Sequence, residues 1–598
     1  MALAISREDT QVLLHGKNIL QESTLDKYRT AGQITQTGLK FVSKLINDSY
    51  HKGEANPSGR LAIHEICLLA DSLLTTCLET RYKNKVAERG ISHPTTIDVD
   101  EVASGWCPEL DDVEQLRSAN KSVVGTGSVA GAKRCVDGYL APGDVVKISL
   151  GVHIDGYTAQ VSHSMVIYPT EKSENGEVKP TGPLLGGKAD AYAAVHIAME
   201  TVVSLLACAL TPEKTPRSLS AGGQITGHLI RTVVDSIASA YHCVVVPGSK
   251  VRRVRRFLAG QNEGIVAERE YKGVAWYESH QELAMLQKSA EATKDLVSVK
   301  PSSLHNSSAV PTDDFTVTPG EVYVIDIQMA PLDGVASGLV TLENADNFSG
   351  KSHRADQLVA RPGAFVRDFA HSHTLKLKTS RQLLSKIDRQ GVYPIKLSHL
   401  SDDFPVDVNV TGAPEIQAIS KDLKSYRLGM SEILNNFLAI PNPIRLAKCV
   451  PWEKILSTAN PAGSHGIDAA ERTLPGQELP LPRLGISSLK LKSLLKHAVY
   501  VPVVRQSATV VLCTADAVPT GKSELLRLSG GNKTCQPSWI HSNYQLNTDD
   551  SIVQGIFQLA ELSKDKRFGF SIRETQPLNR ESASDRRNAG VAQDVEMS

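Results

Sequence analysis

The chain has 598 residues, in which 65 Lys+Arg balance 65 Asp+Glu, with 41% hydrophobic and 5% aromatic residues. That length exceeds one average domain, so several domains or one large insertion-bearing domain is expected. The charge balance excludes a wholly basic nucleic-acid binder and an acidic disordered chain, and the low aromatic content argues against a stacking platform.

Along the chain, MALAISREDT sets Arg7, Glu8 and Asp9 where a signal peptide needs its apolar run, so none is expected. Residues 23–48 carry an apolar stripe at helical spacing (Leu25, Tyr28, Ile34, Leu39, Val42, Leu45, Ile46), with Ser23 or Thr24 as the cap. A second amphipathic helix is predicted over 59–87. Residues 125–131 (GTGSVAG) follow a loop rather than a strand and read as a flexible insertion, not a dinucleotide fingerprint. Residues 144–168 switch to β-branched composition around Asp155-Gly156, which predicts a hairpin. His153, Asp155 and His163 lie close in that sequence and read as its polar surface.

Helical periodicity returns over 186–211 and 222–241. The apolar run Ala191–Leu210 is interrupted by His196 and Glu200, so it reads as a buried helix and no membrane partner is expected. Strands are predicted over 314–330 and 500–513. Between them the chain is irregular, and insertions are expected near 262–313, 331–375 and 395–500. Residues 574–598 are polar and read as a disordered tail, leaving 1–573 as the folded unit. Helices and strands mix without a βαβα rhythm, which points to an α+β fold. The nine cysteines are scattered, with no C-x-x-C, so reduced thiols in a nuclear or cytosolic protein are expected.

The segment SKVRRVRRFLAG (249–260) concentrates charge: Lys250, Arg252, Arg253, Arg255 and Arg256 with no acid among them. With the valines inward, helical or extended, the arginines face outward and suit phosphate, because a planar guanidinium bonds two oxygens at once. A solvated face, salt bridges to Glu263, Glu268 and Glu270, and a nuclear localisation signal stay open as alternatives. Weaker basic stretches at 376–390 and 488–497 read as surface helices.

The segments KISLGVHIDGYTAQVSH (147–163), PGEVYVIDI (319–327) and RGISHPTTIDV (89–99) resemble the methionine aminopeptidase-like family, which also contains prolidases and non-catalytic proliferation-associated proteins. The resemblance implies a pita-bread fold over roughly 20–390 and 500–570. The segments 182–203, 255–274 and 529–542 resemble one branch more closely, the fungal ribosomal export complex-associated proteins, commonly labelled probable metalloproteases.

The peptidases of this family hold two divalent metals through two Asp, one His and two Glu, whose hard oxygens and imidazole suit the pair and its bridging water. The resemblance carries those positions to Ser149 and Gln160 on the hairpin, Lys250 or Val251 for the His, Asp326, and Ala508 give or take one residue. The catalytic His falls at Gly105. One carboxylate of five ligands survives, so no cofactor and no peptidase chemistry are expected.

The branch implies a factor that binds pre-60S large-subunit particles near the peptide exit through rRNA and ribosomal proteins. It implies nuclear export, shuttling between nucleus and cytoplasm, Phe-Gly repeats of the nuclear pore, and other export and maturation factors as partners. The rival readings are a metallo-aminopeptidase and a general RNA-binding growth regulator. The basic stretch 250–256 is the expected rRNA contact.

Overall fold

A computed structural model describes residues 11–51, 60–82, 86, 88–112, 130–172, 178–256, 272–288, 313–333, 337–345, 358–408, 414–458, 494, 498–518, 521–531, 535, 539–565 and 567–578. The elements used below, in chain order, are α1 (Glu22–Ile46), α2 (Ile63–Thr80), β1 (Arg89–Val99), β2 (Val102–Ser104), β3 (Val145–Ile154) and β4 (Tyr157–Val166). They continue with α3 (Gly187–Cys208), α4 (Gly227–Ala240), β5 (Cys243–Val245), β6 (Lys250–Val254), β7 (Gly273–Ala275) and β8 (Val322–Pro331). Next come β9 (Gly338–Asn344), β10 (Ala364–Arg367), α5 (Lys378–Asp388), β11 (Ile395–Lys396), α6 (Pro414–Asn435) and β12 (Ala439–Pro441). The chain closes through β13 (Arg445–Pro451), β14 (Val499–Tyr500), β15 (Val504–Cys513), β16 (Glu524–Arg527), α7 (Ser551–Lys564) and β17 (Ile572–Glu574).

The predicted helices and strands form at the places their periodicity marks. The first helix begins at Glu22 after an uncapped Gln21, so Ser23 and Thr24 lie inside its first turn instead of capping it. Its stripe Leu25, Tyr28, Ile34, Leu39, Val42 and Ile46 is buried against the hairpin residues Ile148, Leu150, Val152 and Ile154. The hairpin turns at Asp155-Gly156, both with positive φ (54° and 78°). Asp155 is held there by Lys27 at 2.6 Å and Arg256 at 2.5 Å.

A ten-stranded sheet runs β1-β3-β4-β15-β8-β6-β7, with β5 beside β8, β16 beside β15 and β17 beside β16. One half is backed by α1 and α2, the other by α3, α4 and α7, each half with its own apolar cluster. This is the α+β, pita-bread arrangement expected. Helix α3 is long and apolar enough to cross a membrane by length and composition, yet 78% of that window is buried inside the protein. Its residues Tyr192, Val195, Met199, Val202 and Leu206 pack against Tyr323, Ile325 and Ile327 of β8. None of the nine cysteines is in a disulfide.

The stretches expected as insertions are more ordered than their composition suggests. Within 331–375, β9 pairs residue for residue with β13, from Gly338 opposite Pro451 to Asn344 opposite Arg445. Strands β10, β11 and β12 make a small sheet beside α5 and α6. Leu383, Ile387, Ile419, Leu423 and Met430 share a core there with Leu68 and Leu69 of α2. The predicted helix over 376–390 is α5; that over 488–497 apart from Leu494, most of the 262–313 insertion and residues 459–493 lie outside the described residues, as do 125–129 and 579–598. The start of the expected tail is structured, which corrects the boundary: Glu574 ends β17, the Thr575 amide donates to Arg527 O (2.9 Å), and the Leu578 amide donates to Thr37 Oγ1 (2.9 Å).

Close approach of α1 to the end of β16 requires Gly32, where an added Cβ would stand 2.7 Å from the Leu528 carbonyl oxygen. Gly32→Ala removes an unfavourable helix residue, a gain of about 1 kcal/mol in isolation. Overpacking against backbone opposes this by about 1–3 kcal/mol. The expected outcome is a net loss of stability in equilibrium urea unfolding; a gain would show that the helix does not pack this closely.

Candidate functional site

A cleft of about 170 Å³ opens on the sheet face opposite α3. The pleat explains its lining. Along β8, Tyr323, Ile325 and Ile327 enter the helix-side core, so Val324 and Asp326 point into the cleft. On β15, Ala508 and Val510 enter that core, whereas Arg505 and Ser507 line the cleft. From the first half of the sheet come His93, Thr96, Gln160 and Ser162. The front wall is Ala364, Pro394, Asn442, Pro443 and Arg445, contributed by the segments once expected as insertions.

The positions implied to hold metals converge here with one shift. Gln160, Asp326, Lys250 and Gly105 line the cleft. Ser149 lies beneath it, accepting a 2.7 Å hydrogen bond from Ser162 Oγ. Ala508 is turned away into the core at 1% exposure, and its neighbour Ser507 lines the cleft instead. Ser507 lies within the one-residue range given for that position, and Ala508 itself is excluded because neighbouring residues of a strand face opposite ways.

Asp326 does not stand alone. Arg505, whose importance the sequence reading missed, donates Nε to Asp326 Oδ1 and Nη2 to Oδ2, both at 2.8 Å. Burial by itself would raise the Asp326 carboxyl; the Arg505 guanidinium more than offsets it and holds the group below the usual carboxylate range. Beside them, burial lowers the His93 imidazole to about 4, and the Arg505 charge adds to this. His93 Nδ1 donates to the Pro94 carbonyl at 2.8 Å. At Gly105 the backbone has φ +95°, and a Cβ would meet the Pro443 carbonyl oxygen at 2.5 Å. The place of the catalytic His therefore has no room for any side chain.

These residues do not fit a pair of divalent metals. The donor set offers one carboxylate, already bonded through both oxygens to a guanidinium, two neutral hydroxyls and an amide. Four cationic residues, Lys250, Arg252, Arg445 and Arg505, line the same space. Two dications would have to enter against that charge, with no set of carboxylates to neutralise them.

The basic stretch 250–256 is placed otherwise than expected. It is mostly strand β6, paired with β7 and β8, so its five cations divide between two faces. Lys250 and Arg252 line the cleft. Arg253 and Arg255 are each only 7% exposed, and Arg253 bonds Glu321 at 3.2 Å. Arg256 is tied to the Asp155 turn. An outward RNA-binding face formed by Lys250, Arg252, Arg253, Arg255 and Arg256 together is thereby corrected, because the strand alternates its side chains and buries two of them. His153 and His163 are also kept apart: their register partners are Thr158 and Ile148, roughly 17 Å along the hairpin at about 3.4 Å per residue.

The chain is 60% identical over 607 residues to a probable metalloprotease ARX1 of Saccharomyces cerevisiae, covering all of both chains. It is 57% identical over 604 residues to the protein of the same name from Candida glabrata, again end to end. The chain belongs to the ARX1 family. A solved structure of a thermophilic Arx1 is similar over 89% of this chain and 97% of its own, at 16% identity and a TM-score of 0.49. No family model matches the chain.

Replacing Arg505 by Gln leaves a buried carboxylate without its partner, which costs about 3–5 kcal/mol at neutral pH. The sign with pH follows from Asp326. In the native chain its depressed carboxyl contributes stability above the unfolded pKa and loses it as pH falls through the folded one. In Arg505→Gln, burial prevails and the folded pKa rises, so the deficit relative to the native chain shrinks as pH falls from 7 to 5. Urea unfolding at both pH values checks this; a constant gap contradicts it.

Proposed function

We propose that this Arx1-type chain is a non-catalytic ribosome-assembly factor. It binds precursors of the large subunit, the pre-60S particles, near the peptide exit and assists their export from nucleus to cytoplasm, shuttling between the two. The observation that carries the non-catalytic part is the Asp326–Arg505 ion pair, which occupies the carboxylate that a metal pair would need. The partner rests on the resemblance of 182–203, 255–274 and 529–542 to ribosomal export complex-associated proteins. Contacts with rRNA, with ribosomal proteins at the exit, with Phe-Gly repeats and with other export and maturation factors belong to this reading. With β6 mostly built into the sheet, the rRNA contact is not assigned to the five-cation stretch.

The relatives' name, probable metalloprotease, favours a second reading, a metallo-aminopeptidase that removes N-terminal residues. The cleft chemistry speaks against it: no cluster of three or more His, Cys, Asp or Glu able to hold a metal occurs among the described residues. A third reading, a general RNA-binding growth regulator, differs in its bound RNA.

Sedimentation of the tagged protein from a gentle cell lysate tests the proposal. Co-migration with the large subunit and its precursor rRNA is expected, and Arg505→Gln should lower abundance through stability without shifting the remaining protein to the top of the gradient. A peak only at the top, or a broad mixture of bound RNAs, contradicts the ribosomal reading.

A further inference from the structure

Among the described residues lining the cleft, one cation and one amide lack a partner, and both suit an anionic ligand. Asp326, the one acidic lining residue among the described residues, is engaged by Arg505. Lys250 and Arg252 have contacts of their own, which leaves Arg445 as the cation open to a ligand. Arg445 sits at the first position of β13, half-buried in the front wall; its main chain is paired in the ladder with Asn344 and Ser104, and its guanidinium makes no hydrogen bond or ion pair with a described residue. Gln160 lines the opposite side, and its buried Nε2 has no acceptor among the described residues.

A half-buried guanidinium without a carboxylate partner favours an anion beside it, and a cleft lined by cations adds to that potential. A negatively charged acceptor group in the cleft that reaches Arg445 and Gln160 would satisfy both. The space of about 170 Å³ admits one small charged group or the end of one side chain between the two walls. Arginine forks match the paired oxygens of carboxylate and phosphate alike.

We propose that the cleft is a binding site for one compact oxyanion, a carboxylate or a phosphate group. The reading goes beyond the assembly role and does not depend on it. It also inverts the electrostatics of a metallo-aminopeptidase pocket, in which carboxylates and dications face a substrate amine.

The full-length protein is titrated with sodium phosphate and with sodium acetate, against sodium chloride at matched ionic strength, and followed by thermal unfolding and calorimetry. A saturable rise in melting temperature with phosphate, acetate or both is expected. Response to acetate alone assigns the natural group to a carboxylate, and response to phosphate alone assigns it to a phosphate. Arg445→Gln should weaken the response roughly tenfold, the scale of one charge-assisted hydrogen bond, and Arg445→Lys should retain part of it. The melting temperature of Arg445→Gln without added oxyanion should be no lower than that of the native chain. No anion-specific rise in the native protein overturns the proposal, and so does an equal rise in native and Arg445→Gln protein; the first result needs no variant to fold.

Discussion

The protein is organised around one buried ion pair between the two central strands. Asp326 faces Ser507 across the ladder and Gln328 faces Arg505, so the Arg505–Asp326 bond runs diagonally between neighbouring pairs. Such diagonals lie within reach of long side chains. Two charges taken out of water are costly unless geometry restores their solvation. Here the guanidinium meets both carboxylate oxygens in a fork, the strongest form of that repayment. The consequence is chemical as well as structural. A carboxylate bound in this way is no longer a free metal ligand, and the cleft above it becomes cation-lined.

The front wall completes the change. Pro443 and Arg445 come forward where the small sheet β10–β12 passes into β13, and the Pro443 carbonyl presses on Gly105 so closely that only glycine fits. The lobe thus supplies the front wall of the cleft, and its own core is continuous with α2 through Leu68 and Leu69.

Much of the fold was legible in the sequence because the period of apolar residues is local. The stripe of α1, the Asp155-Gly156 hairpin and the buried α3 all follow from spacing alone. The site was legible only in part. The loss of charge at Ser149 and Gln160 was plain, but Arg505 appeared as a single cation in a β-branched strand, and its partner lies 179 residues away in sequence. A lone Arg among valines was the available signal. The stretch 250–256 misled for the opposite reason: its cations are adjacent in sequence, and strand alternation sends them to two faces. Of the lobe between 358 and 441 only α5 was legible, because its apolar core draws a few residues from each of several segments that are polar on average.

The account's central claim is that an internal guanidinium, not metal, balances the cleft carboxylate. Its most direct test is the divalent metal content of the full-length protein, purified without chelator and measured by atomic emission. Far less than one tightly bound divalent ion per chain is predicted, unchanged after incubation with manganese or cobalt and gel filtration. About two retained ions per chain, the stoichiometry of a two-metal hydrolase, would contradict it.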